Sequence, residues 1–205
     1  MNEVDNLEIP NDKLPKASIE DANVMSLNFP KLEAAILFFV SNLPEKLNRI
    51  KLCKHLYYAD GHYFQKFQET ITENPYLHIE GSPVPLYFNE VIHQLVKSRK
   101  MEIMPQVITE EVGKKPVTVL KGLVYRATNG YSQEFTRLEK KVLNSVLAVL
   151  NGDLNLETRH FPYMYQEYAQ TGLYEEIPFK EIASGKKPHL SWKAWANKVF
   201  RLMWQ

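Results

Sequence analysis

Apolar residues first fall into a helical rhythm at Leu32, where Leu32, Ala35, Ile36, Phe39 and Val40 share one face. Pro30 suits the first turn of that helix, where a missing N–H costs nothing. Pro44 disfavours a helical residue before it, which sets the helix end near residues 41–42. A second helix is predicted over residues 49–67, with Asn48 as its N-cap. Its apolar positions form two adjacent stripes. Ile50, Cys53, Tyr57 and Phe64 make one, and Leu52, Leu56, Ala59, Tyr63 and Phe67 the other. So wide an apolar face predicts a helix central to the core.

The period changes over residues 70–86, where Ile71, Tyr76, Leu77 and Ile79 alternate with turn formers such as Pro75, Gly81, Pro83 and Pro85. Short extended pieces broken by turns are expected there. A helix over residues 87–99 follows, with Val91, Ile92, Leu95 and Val96 inward. Residues 102–127 read as a β-hairpin, with Val107 and Ile108 on one arm and Val117, Val119 and Leu120 on the other. A strong helix carries Leu138, Val142, Leu143, Val146, Val149 and Leu150, and Asn151-Gly152 stops it. Residues 157–172 read as an aromatic-rich helix, and an irregular closing segment follows. No internal repeat is evident. The fold class is mainly α (α+β): a compact helical domain with a small β-hairpin.

Charge divides the chain into three. Residues 1–28 hold Glu3, Asp5, Glu8, Asp12, Glu20 and Asp21 against Lys13 and Lys16, an acidic arm expected to be mobile. Residues 29–185 form the domain. Residues 186–205 carry Lys186, Lys187, Lys193, Lys198 and Arg201 without an acid. That tail reads as a basic amphipathic helix whose apolar face includes Trp192 and Trp195. The net charge of the whole is only +1, so nothing favours a nucleic-acid partner. With 44% hydrophobic residues in 205, the chain can bury a real core as a soluble protein. The single cysteine excludes an internal disulfide and fits a reducing cytoplasm. The N-terminus lacks the basic start and apolar run of a signal peptide. The longest apolar run, residues 34–40, is far shorter than the ~20 residues of a membrane span. A membrane partner is not expected.

Cys53, His55, Tyr57, Tyr58, Asp60 and His62 crowd one short stretch and invite a catalytic reading. Helix geometry argues against it. Positions two apart point in different directions, so Cys53 and His55 make no nucleophile–base pair. His55 and His62 share a face but lie about 10 Å apart along the axis, too far for one metal. Asp60 and His62 converge only if the helix breaks near Gly61. Phosphate-loop, dinucleotide, zinc-protease, nucleophile-elbow and paired-cysteine motifs are missing. No catalytic, metal-binding or cofactor-binding residue is therefore assigned, and no enzyme is expected. Cys53 should pack as a small hydrophobe, and the two tyrosines should pack their rings while their hydroxyls find polar partners.

Residues 51–60, Lys51-Leu52-Cys53-Lys54-His55-Leu56-Tyr57-Tyr58-Ala59-Asp60, resemble the signature helix of the SocA-like, or Panacea, antitoxin family. Ile71-Thr72, the turn Gly81-Ser82-Pro83-Val84-Pro85-Leu86-Tyr87 and the ending Gly172-Leu173 with Ile177-Pro178-Phe179 follow in that family's order. The resemblance spans residues 32–183. Ser82 separates a glycine and a proline that the family usually keeps adjacent, and His55 stands where leucine is usual. The first departure puts the turn in question. The second requires the core to accept a polar ring.

The resemblance implies a cytoplasmic antitoxin of bacteria or their phages, one that binds and neutralises a cognate toxin protein encoded by an adjacent gene. Alternatives are an adaptor delivering the toxin to the ClpXP protease, or a DNA-binding autorepressor. Lys51, Lys54, Tyr57, Tyr58 and Asp60 are expected to shape a partner-binding groove with Gly81, Pro83, Pro85 and Tyr87. Trp192 and Trp195 offer a second candidate surface.

Overall fold

The computed structural model describes residues 29–112, 115–128, 135–150 and 162–179. The arm over residues 1–28, the stop at Asn151-Gly152 and the basic tail with Trp192 and Trp195 lie outside them.

Helix α1 runs over Pro30–Asn42 and helix α2 over Arg49–Phe67, as the periodicity predicts. Pro30 opens α1, and its first backbone bond is donated by Glu33 N to Phe29 O at 2.9 Å. Every residue from Ala34 to Val40 is buried, so α1 is enclosed on all sides through that run. A helix apolar all round belongs in an interior, so α1 shares the centre with α2. Leu32, Ile36, Phe39, Leu52, Leu56, Tyr57, Leu95, Leu143 and Val146 all sit at zero exposure in one continuous core.

Two short strands follow α2. Strand β1, Tyr76–Ile79, pairs antiparallel with β2, Ser82–Pro85, through the two-residue link Glu80-Gly81. Gly81 has φ +80°, a conformation glycine adopts without strain. The closing segment lies along the other edge of β1. Tyr174 N donates to His78 O at 2.7 Å, His78 N to Glu175 O at 2.9 Å and Ile177 N to Tyr76 O at 2.8 Å. Helix α3, Phe88–Lys97, buries Phe88, Val91, Ile92 and Leu95. Val96, expected inward, is 38% exposed, because it lies at the stripe's edge in the last turn, where the helix leaves the core.

The hairpin falls where the sequence places it, one residue longer at its start. Strands β3, Met101–Val112, and β4, Lys115–Ala127, pair antiparallel along their whole length. The register shifts between Gln106 and Val107, opposite Gly122, whose φ is +154°. The extra residue of that bulge is Lys121. Only the ribbon's base enters the core, through Met101, Val124 and Tyr125. The α1–α2 link holds it there: Tyr125 N donates to Leu47 O at 3.0 Å, and Arg126 pairs with Glu45 at 2.7 Å.

Helix α4, Arg137–Leu150, and helix α5, Pro162–Gln170, complete the described fold. Thr136 and Glu139 form a reciprocal capping box on α4. Thr136 N donates to Glu139 Oε2 at 2.6 Å, and Glu139 N to Thr136 Oγ1 at 3.2 Å. The same carboxylate takes Lys31 Nζ at 2.7 Å and so ties α4 to the start of α1. Leu138, expected inward, is 48% exposed, and Val149 is half-buried. Among the described residues no helix is long and apolar enough to cross a membrane. The architecture is mainly α with two small antiparallel sheets.

Candidate partner-binding surface

Helix α2 organises the region singled out by sequence. Asn48 Oδ1 accepts from Lys51 N at 2.9 Å, which fixes the first turn and the phase of all that follows. That phase buries every residue from His55 to Gly61, together with Leu52 and Cys53. Lys51 and Lys54 remain half-buried at the edge.

Tyr57, Tyr58 and Asp60 were expected at the mouth of a groove; they are instead inside the core, at 0%, 2% and 0% exposure. The helix does not break at Gly61, so Asp60 keeps its inward phase. Three donors make its burial tolerable: Thr72 N at 2.9 Å, Tyr76 Oη at 2.7 Å and Thr72 Oγ1. Burial pushes the Asp60 carboxyl up to about 6, and these hydrogen bonds hold it from rising further. The node pins α2 to the segment entering β1. Tyr57 Oη donates to Met164 O at 2.9 Å, the polar partner expected of it, and so anchors α5. Gly61 lets α5 approach, since a Cβ there would lie 2.0 Å from Met164 Sδ.

His55 lies wholly in the core, edge-on to Phe39 with ring centroids 5.3 Å apart. Its Nδ1–H donates to Lys51 O at 2.7 Å, while its buried Nε2 has no partner among the described residues. Burial, the largest influence, lowers its pKa to about 4, so the ring is neutral at pH 7. The core thus accepts the polar ring in place of leucine by keeping it uncharged. Cys53 is fully buried and packs as the small hydrophobe expected, with burial pushing its thiol up to about 12.

The structure does bring α2 and the β1–β2 turn together. Ser82 Oγ is 3.5 Å from Ile50 O and also donates to Pro83 O at 3.2 Å. The serine inserted between Gly81 and Pro83 thus begins β2 and is buried against α2. Pro83 and Pro85, also expected at the surface, are buried with it, because all four residues of β2 lie against the core. Gly81 is exposed, and Tyr87 is half-buried with its ring stacked on Phe29 at 4.5 Å. Of the nine positions expected within this part of the chain, Lys51, Lys54, Gly81 and Tyr87 are the ones a partner can reach.

Two surfaces escaped the sequence reading. A groove of about 190 Å³ lies between the end of α2 and the start of α4, lined by His62, Lys66, Phe67, Leu138, Lys141 and Val142 with Ser145. Its floor is apolar and its rim basic, with Lys66 Nζ 3.3 Å from His62 Nε2. Burial, then Lys66, lowers the His62 pKa. The second surface is the β3–β4 ribbon, where Ile103, Val107, Leu120 and Leu123 are 43%, 56%, 63% and 45% exposed. Alternation in the sequence could have flagged it. Among the described residues no cluster of three potential metal ligands occurs.

These features define a mainly helical α+β domain that encloses its chemically distinctive side chains and leaves a basic-rimmed groove and an apolar ribbon outside. The chain belongs to the SocA-like antitoxin, Panacea domain family, whose model matches residues 52–155. The match takes in α2, both hairpins, α3 and α4, a narrower span than the resemblance over residues 32–183. Comparison with curated proteins found no match, and comparison with solved structures found none.

Proposed function

We propose that this chain is the antitoxin of a two-gene toxin–antitoxin pair and neutralises its cognate toxin by direct binding. Family membership over half of the chain carries the reading. The interior agrees with it. Cys53, His55 and Asp60, the side chains with chemistry to offer, are used in packing, with a protonated thiol, a neutral imidazole and a fully bonded carboxyl. Binding by a folded surface needs none of them reactive, so the role is non-enzymatic. The accessible residues Lys51, Lys54, Gly81 and Tyr87 contribute at the seam between α2 and the β1–β2 turn.

The test is expression of each gene flanking this one in bacteria, with and without this protein, while growth is followed. Arrest by one neighbour and recovery on co-expression supports the proposal. If neither neighbour arrests growth, or arrest persists with the protein present at full level, the proposal is wrong.

A further inference from the structure

Residues directly opposite one another in an antiparallel pair share a face. One face of the β3–β4 ribbon therefore reads Met101, Ile103, Pro105 and Val107 on β3 against Ala127, Tyr125, Leu123 and Leu120 on β4. Met101 and Tyr125 belong to the core. The same stripe then continues outward, and Ile103, Val107, Leu120 and Leu123 stand 43–63% exposed. Thus the core's apolar surface extends onto an arm. The charged residue among these positions is Lys121, the extra residue of the bulge. The opposite face is mixed: Val117 and Val119 are 41% and 37% exposed, and Glu102, Gln106 and Arg126 share it.

A two-stranded ribbon is marginal on its own, and a long apolar one with open edges invites association. Size decides what kind. At 3.4 Å per residue and ~5 Å between strands, one face offers roughly 300 Å². Two copies meeting face to face would bury roughly 600 Å² in all, the range of crystal packing rather than a stable dimer. Enclosure of both faces by one larger partner doubles that figure, to about the 1,200 Å² where specific complexes begin.

We infer that the β3–β4 ribbon is the arm by which this protein grips its toxin, inserting into a cleft of that protein that is apolar toward the face of Ile103, Val107, Leu120 and Leu123 and polar toward the mixed face. The inference rests on the antitoxin reading and specifies its contact. The ribbon's bulge, with Gly122 at φ +154°, sets the twist that such a cleft must match.

The probe is the purified product of whichever flanking gene arrests growth, titrated calorimetrically into the full-length chain. Val107→Lys with Leu120→Glu replaces one cross-strand pair by opposite charges, which preserves the pairing while removing the apolar contact. Affinity is expected to fall at least tenfold, with the melting temperature of the free chain unchanged. Leu173→Glu, exposed and away from the ribbon, should bind as the parent does. Should the charged pair prevent folding, Val107→Thr with Leu120→Thr keeps strand propensity and serves the same test. If the parent fails to bind the probe, the antitoxin reading and this inference fall together. If the parent binds and the folded ribbon variants bind equally well, this inference alone falls. It also falls if the free parent is a dimer that the ribbon variants dissociate, or if those variants melt lower because the chain itself covers the face.

Discussion

Asp60 and His55 lie five residues apart on one buried helix, and their titrations pull stability in opposite directions. Asp60 moves from its ordinary value of 3.8 to about 6 on folding. The folded chain therefore binds more protons between those values, and stability falls as pH rises through about 6. The gap corresponds to about 3 kcal/mol, lost on going from pH 4 to pH 7. His55 moves the other way, from 6.5 to about 4. Here the unfolded chain binds the extra proton, so stability is present above 6.5 and is lost as pH falls towards 4, again by about 3 kcal/mol. In the parent these two contributions nearly cancel across pH 4–7. Asp60→Asn removes one and should leave a chain about 3 kcal/mol less stable at pH 4 than at pH 7, relative to the parent's own change. His55→Leu removes the other and should gain about as much on acidification. Urea melts of the three proteins at half-unit pH intervals measure both slopes. Because each slope is taken within one variant, a packing change from the substitution itself drops out, and Glu139 and His62 titrate in all three alike. Parallel pH profiles for the parent and Asp60→Asn would refute the argument, since the carboxyl would then titrate as an exposed one does.

Further expectations concern how the helices are held. Gly61→Ala forces Met164 to move, and after the gain in helix propensity it should still cost about 1 kcal/mol, read from chemical denaturation. Met164→Ala in that background should cost less than the two changes summed. Tyr57→Phe keeps the ring and loses the bond to Met164 O, for about 1 kcal/mol by the same assay. Glu139→Ala removes the capping box of α4 and its tie to Lys31 together, and thermal unfolding should show a loss of about 1–2 kcal/mol.

Local signals are legible in the sequence where they are self-sufficient. Asn48 before an apolar periodic run fixed the start of α2, and Pro30 fixed that of α1. Each depends on backbone groups within a turn of the residue itself. The capping box Thr136–Glu139 is equally local and is legible as T-x-x-E. Asp60 is the contrary case. Its partners lie 12 and 16 residues on, beyond a segment that has left the helical period. A polar residue between two apolar stripes is therefore placed at the surface by pattern alone, and only the return of Thr72 and Tyr76 brings it inside.

The ribbon exposes a different limit of patterning. Alternation identifies strands because successive side chains face opposite ways, but it does not say what covers either face. In a sheet packed on a core, apolar residues on one face are explained by the core. Met101 and Tyr125 satisfy that explanation at the ribbon's base. Ile103, Val107, Leu120 and Leu123 do not, since the strands have by then passed beyond the helices, yet the sequence goes on placing apolar residues there. Local strand propensity accounts for valine and isoleucine in an exposed ribbon, but it gives no reason for leucine at two positions 63% and 45% open to water. A surface that one chain leaves apolar on an arm held clear of its own core is accounted for by a second protein, and the antitoxin reading supplies one.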